Sequence, residues 1–323
     1  MVTIKDVGAR AGVSPATVSN TLNGHGQVAE ATKRRVLDAV RELGYKANIH
    51  AQQLVTQRSR ILAIKLPDLK DMGSAGIPNS SYFLNVVNGA MEVANDRYYA
   101  LVVLASKADP QALTRFGIDG FIVVDPADES IFSENSPTVT IGGTRNLYGA
   151  AGQVDNDHAA GLLMAMKEFR RRNSQTSALV KDSTRRVYVE SITSAYLAWS
   201  RESSISPNVF ELQTLESSEI DALLRTMNKL CVDSVYTTSD DIAVALLKRA
   251  QEMGVTVPDE LAIISAVDSV SLTLTSPAIS AMELFPNRAG ELALTLLADL
   301  LENGEVSETS IAVPIDYIQR GTS

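Results

Sequence analysis

Three apolar stripes at helical spacing open the chain, and alternating short apolar runs and longer helical stretches follow. In Thr3 to Gly24, Val7 and Ala11 stand four residues apart in a first helix over about Ile4–Ala11. Val13, Val18 and Leu22 give a second helix the stripe that holds it on the first. The boundaries are written in cap residues: Thr3 before the first helix, Ser14 before the second, and Pro15 at a first helical position where its missing N–H costs nothing. Gly12 ends the first helix, because glycine takes the left-handed conformation at little steric cost. A third helix is predicted over about Glu30–Leu43, with Val36, Leu37, Val40 and Leu43 facing inward and Gly44 ending it. Ala29 offers no capping side chain, so this helix is expected to fray at its start. The three close into a small head that leaves Pro15, Ala16, Thr17, Ser19 and Asn20 pointing outward at the start of a helix.

From Lys46 to Arg60 the segment KANIHAQQLVTQRSR is polar and has too little apolar surface to fold alone, which makes it a linker that orders on binding. Beyond it the period changes. ILAIKL, YALVVLA, GFIVVD and TVTIG read as buried parallel strands, followed by SALVK, SVYTT, LAIISAV and ISAMEL. FLNVVNGAMEVAND, HAAGLLMAMKEFRR, EIDALLRTMNKL, IAVALLKRAQEMG and RAGELALTLLADLLENG lie between as helices. This alternation predicts α/β layers with doubly wound parallel sheets, and its restart near QVDNDHAAG predicts two similar lobes. The expected division is residues 1–46 for the head, 47–60 for the linker and 61–323 for the two-lobed body.

Charge changes the picture more than composition does. The chain of 323 residues carries a net charge of -9, yet residues 1–60 hold nine Lys/Arg and four Asp/Glu, for +5, and the remainder twenty and thirty-four, for -14. A basic head on an acidic body confines phosphate contacts to one end. The single cysteine, Cys231, cannot form an internal disulfide and fits a reducing cytoplasm. Neither a membrane-length apolar run nor a signal peptide stands out. One cysteine with His25, His50 and His158 makes no convincing zinc site, and no cofactor is expected. Asp155 and Asp157 around Asn156 form an acidic cluster that also reads as a strand-to-helix turn. GxSxG, P-loop, HExxH and GxGxxG motifs do not occur, which argues against an enzyme.

TIKDVGARAGVS, ATVSNTLNG, ATKRRVLDAVRELGYKAN and AQQL at Ala51–Leu54, in that order, resemble the lactose-repressor (LacI/GalR) family of bacterial transcription regulators. The likeness continues more weakly along the whole chain. It implies a helix-turn-helix head reading the major groove, and a linker that becomes a hinge helix in the minor groove at the operator centre. There Leu54 wedges between base pairs and Ala51 allows close helix approach. The implied DNA-contacting set is Thr3, Ser14, Pro15, Ala16, Thr17, Ser19, Asn20, Asn23, Tyr45, Asn48, Ala51 and Leu54. Relatives often carry arginine where Asn20 stands. Asparagine pairs with adenine and arginine with guanine, so the half-site is expected to differ at that contact.

The resemblance also implies a periplasmic-binding-protein-like body with an effector cleft between its lobes, at the carboxyl ends of the strands. Ser80-Ser81-Tyr82-Phe83 stands where relatives have Asn-Pro-Phe-Phe, so that Tyr82 and Phe83 offer a stacking wall, or else belong to the core. Ser239-Asp240 replaces Asn-Asp, and Asp268 alone remains of two successive aspartates; both acids read equally as caps. Arg185 or Arg186 stands near the family's effector-gripping arginine. These departures imply a ligand altered from the family's usual sugars, or none. The segment KADPQALTRFGID between the second and third strands is shorter than in relatives, thinning a face that helps build the family's dimer. The expected function is a homodimeric repressor of a near-palindromic operator, modulated by a small effector such as a sugar or metabolite. The alternative is a small-molecule binding module with weakened DNA recognition.

Overall fold

A computed structural model of the chain describes residues 2–22, 28–44, 58–67, 80–104, 117–126, 136–144, 150–184, 186–304 and 306–323. The chain divides into two compact units, Met1–Ser59 and Arg60–Ser323.

In the first unit, α1 (Ile4–Ala11), α2 (Pro15–Leu22) and α3 (Glu30–Leu43) follow the periodicity. Val7, Ala11, Val18, Val36 and Ala39 form the buried centre, with Val13, Leu22, Val40 and Leu43 packed around it. Leu37, expected inside, is exposed. The buried row of α3 runs 36, 39, 40, 43, and Leu37 falls a hundred degrees off it, so Ala39 takes the inward place. Thr3 and Asp6 cap α1, the Asp6 carboxylate accepting the Thr3 N–H at 2.8 Å and its hydroxyl at 2.7 Å. Gly12 ends α1 with φ 66°, and α3 starts from Ala29 without a side-chain cap.

The second unit holds two parallel-stranded layers. Strands β1 (Ile61–Lys65), β2 (Ala100–Leu104), β3 (Gly120–Val124), β4 (Thr138–Ile141), β5 (Gly152–Asn156) and β11 (Ser310–Val313) form one sheet in the order β11-β5-β4-β3-β1-β2. The other contains β6 (Ser177–Asp182), β7 (Val209–Leu212), β8 (Ser234–Thr237), β9 (Ala262–Ser265), β10 (Ser280–Glu283) and β12 (Asp316–Ile318), in the order β12-β10-β9-β8-β6-β7. Only β12 runs antiparallel among these pairings. Strands β5, β7, β11 and β12 add to the eight that the apolar runs predicted.

Helices α4 (Ser80–Asp96) and α10 (Pro286–Asn303) cover one face of the first sheet, and their side chains interleave in one core with Leu62, Ile64, Ile122 and Val139. The two helices touch backbone to backbone. A Cβ on Gly89 would stand 1.9 Å from the Asn287 carbonyl oxygen, and one on Gly290 2.0 Å from that of Val86. In the second lobe, α5 (His158–Arg171) and α6 (Val187–Glu202) pack on one face around Phe169 and Tyr196. On the opposite face lie α7 (Ser217–Lys229) and α8 (Asp240–Glu252), and the short α9 (Val270–Thr273) follows β9.

The chain crosses between lobes after β5, after β10 and after β11. The buried Asn156 amide ties all three, donating to the carbonyls of Leu284 at 3.0 Å and of Val313 and Pro314 at 3.4 Å each. This leaves the carboxyl ends of both sheets facing one cleft, with the strand order reversing at β1/β3 in one and β6/β8 in the other. Open α/β sheets bind ligands at such reversals.

Candidate functional site

The head presents a helix start to solvent. Pro15, Ala16 and Asn20 are exposed on α2, with Thr17 and Ser19 half-buried beside them. The Ser14 hydroxyl accepts the Thr17 N–H at 3.1 Å and meets the Thr17 hydroxyl at 2.9 Å. These two side chains therefore hold the helix start, and Thr21 anchors the next turn on the Thr17 carbonyl at 2.8 Å. The free amide and the small apolar surface offered outward belong to Asn20, Pro15 and Ala16. Lys33, Arg34 and Arg35 lie exposed on α3. Asn23, Tyr45, Asn48, Ala51 and Leu54 lie outside the described residues, as do the 105–116 segment, His25, His50 and Arg185.

In the body, the ends of β3, β4 and β5 meet the start of α6 around a cavity of about 60 Å³. Tyr82, Phe83, Tyr188, Asp125, Asp155 and His158 supply its aromatic and titratable walls. Asp125 leaves β3 in the left-handed conformation at φ 46°, which aspartate tolerates better than most residues. This turn aims its carboxylate across the cleft, where Arg186, the residue before α6, forms an ion pair with it. Both side chains are largely buried, at 17% and 8% exposure. Burial pushes the Asp125 carboxyl above its ordinary value despite the guanidinium beside it. Burial likewise raises Asp155 to about 6, its negative neighbour Asp125 adding to the effect, and lowers His158 to about 4. The neutral imidazole packs on Tyr188 with ring centroids 5.4 Å apart.

Next to this cavity runs a groove of about 490 Å³ that shares Tyr82, Val267 and Leu284 with it. Ser81, Asn85, Asp268, Asn287, Arg288 and Glu291 stand along the groove.

Residues 3–48 match the model of bacterial regulatory proteins of the lacI family, and residues 166–323 match a periplasmic binding protein-like domain. The chain belongs to the lacI family of bacterial regulatory proteins. As such it is a DNA-binding transcription regulator. This lacI-family chain is 28% identical to a ribose operon repressor of Bacillus subtilis, an alignment covering 100% of this chain and 99% of the relative. A lac repressor dimer bound to operator and the anti-inducer ONPF shares the fold at a TM-score of 0.69 and 17% identity, covering 99% of this chain and 98% of that one. A CelR–cellobiose complex does so at 0.67 and 19%, over 100% of both chains.

The family positions divide in the structure. Tyr82 and Phe83 line the cavity edge to face with centroids 5.3 Å apart, and Arg186 is joined to its wall through the ion pair with Asp125. Phe83 is at the same time a core residue of the first lobe. Ser81 and Asp268 stand along the groove instead. Asp268 is engaged by Arg320 through two contacts of 2.7 Å, so its carboxylate is held from the C-terminal side of the second lobe. Ser239 stands at the residue before α8 but makes no side-chain cap bond, giving its hydroxyl to Asp241 instead, while Asp240 is buried at the first turn; neither is among the cavity's walls. Asp157 caps α5 through the Ala160 N–H at 2.9 Å, separating its role from that of Asp155.

Asp125, Asp155, His158 and Tyr188 were not among the residues marked for the cleft. The one local signal for Asp125 is an acid directly after the apolar run GFIVV, at the carboxyl end of a strand beside the reversal.

Proposed function

We propose that this lacI-family chain is a cytoplasmic homodimeric repressor whose hold on a near-palindromic operator depends on a small molecule bound between its lobes. The observation that carries the reading is the joining of a capped helix-turn-helix, open at Pro15, Ala16 and Asn20, to a two-lobed body in a chain alignable throughout with a ribose operon repressor.

The Asn20 amide reads a base edge, and Thr3, Ser14, Thr17 and Ser19 place the helix against the backbone. Asn23, Tyr45 and Asn48 complete the contacts, and Ala51 with Leu54 enters the minor groove. Exposed Leu84, Met91 and Tyr98, with Val102 and Val103 on the β2 edge, give the first lobe an apolar face suited to a second copy. The effector acts by binding one arrangement of the lobes more tightly than another, a coupling of about 1–3 kcal/mol in typical cases.

Selection from a random duplex library with the full chain tests this. A near-palindromic site is expected, with the preference at one base pair of each half-site moving from adenine toward guanine in Asn20→Arg. Failure of the full chain to enrich any site at low salt would overturn the operator reading.

A further inference from the structure

The two compact units join in the chain at the Ser59–Arg60 peptide, so whatever the body imposes on the head through the backbone passes Arg60. This residue is held at both backbone ends and along its side chain. Its N–H donates to the Asp119 carboxylate at 2.8 Å, and its carbonyl accepts the Ala100 N–H at 2.8 Å. Its guanidinium donates to the Arg97 carbonyl at 3.0 Å and lies over the Tyr99 ring, 5.3 Å from the centroid.

Arg60 does this in the left-handed conformation, at φ 58°. Glycine or asparagine adopts that backbone at less cost, so an arginine there is strained. Such strain persists only where surrounding contacts over-determine it, and such outliers gather at clamps and switches. The partners of Arg60 are themselves secured by α10. Arg97 pairs with Asp299 at 2.6 Å and with Glu302 at 3.2 Å, and the Tyr99 hydroxyl donates to Glu302 at 3.3 Å. Both acids lie near the end of a helix that begins at Pro286, just after the crossing that follows β10. Its 18 residues, at about 1.5 Å each, span roughly 27 Å from that crossing to the point where the linker departs. Tyr98, between two members of the cluster, is 84% exposed on the apolar face suited to a second copy. Two copies joined on that face bring their clamped exits close together.

We propose that Arg60 is a positioning residue for operator binding: clamped among α10 and the starts of β2 and β3, it fixes the direction in which the linker leaves the first lobe, and so the spacing at which a dimer's two heads meet DNA. This rests on the reading of the chain as a dimeric operator binder. Without the clamp each head still reads its half-site. The second head is no longer presented at a set distance and angle, and the gain from linking the two falls.

The test measures full-chain binding to the site recovered in the selection, to versions with one or two base pairs added or removed at its centre, and to a duplex with a single half-site. Each base pair turns one half-site by about 35° and moves it by ~3.4 Å relative to the other. The wild type is expected to discriminate sharply among spacings. Arg60→Asn suits the left-handed backbone and lacks the guanidinium. It should bind the recovered spacing about tenfold more weakly, bind the single half-site as before, and discriminate less among spacings. Asp299→Asn combined with Glu302→Gln, in α10 and remote in sequence from the linker, should shift the same ratios in the same direction. Arg60→Lys, which keeps a cation to lie over Tyr99, should fall between. If Arg60→Asn lowers the urea midpoint of the body, the α10 pair decides. Equal weakening at every spacing and at the half-site would mean a lost charge rather than a lost direction, and would overturn the proposal. Wild-type ratios in the variants would do the same. A wild type indifferent to spacing would overturn the positioning role alone and leave the operator reading standing, whereas no binding to any duplex would overturn both.

Discussion

Asp155 and His158 sit 3.8 Å apart at one crossing between lobes, and their titrations should oppose one another. Asp155 moves up from an ordinary 3.8 to about 6, so folding favours its protonated form. Its contribution to stability is therefore present below about pH 4 and lost as pH rises through 6. The cost at pH 7 is about 2–3 kcal/mol, the lower figure allowing for the 29% of its side chain that meets solvent. His158 moves down from 6.5 to about 4, so its neutral form is favoured. That contribution is present above 6.5 and lost as pH falls toward 4, by a similar ~3 kcal/mol. In the wild type the two slopes nearly cancel. Asp155→Asn keeps the acceptor for the Asn156 N–H and removes one slope. It should be more stable than wild type by about 2 kcal/mol near pH 7, an advantage that disappears near pH 4. His158→Gln should show the reverse trend, gaining stability as pH falls. Urea unfolding followed by far-UV circular dichroism at several pH values measures both. Parallel pH profiles for the two variants, or no gain from Asp155→Asn at neutral pH, would refute the reasoning.

Other substitutions probe the frame that positions the cleft. Gly290→Ala drives a methyl into the Val86 carbonyl and should cost about 3 kcal/mol or more, seen as a lowered urea midpoint. Asn156→Leu removes the amide joining the three crossings and leaves buried carbonyls unpaired, at a cost of about 1–3 kcal/mol in the same assay. Ser14→Ala removes the α2 cap and should lower the stability of the head by about 1 kcal/mol, measured by local hydrogen exchange in the Thr17 turn.

What the sequence made legible follows the range of the forces involved. The head was readable almost to the residue, because caps and a 3.6-residue period act within a few positions. The error at Leu37 came from weighting hydrophobicity above phase, where small Ala39 fills the inward place. In the body, strands buried along their length, such as GFIVV and LAIIS, stood out as apolar runs. QVDN, VFEL, SIAV and DYI did not, since they alternate or lie toward sheet edges with partly exposed positions. Arg186 was marked by resemblance, but its partner Asp125 was not, being 61 residues away in the other lobe. Nothing local distinguishes a carboxylate that will face an arginine across a cleft from one that ends a strand in water. The role of Asp268 was hidden for the same reason, because Arg320 reaches it from 52 residues on.

The backbone contact between α4 and α10 bears on the order in which the protein is made. Five strands of the first lobe and α4 leave the ribosome long before Pro286–Asn303 and Ser310–Val313, which complete that lobe's core and its sheet edge. Much of the second lobe, including β6 to β9, is synthesised in between. The lobe that begins first must therefore finish last, holding Leu62, Ile64 and Ile122 without their α10 partners through most of translation. Apolar surface left open in this way is where incomplete chains aggregate, so substitutions in α10 should reduce yield in cells before they alter anything the finished protein does.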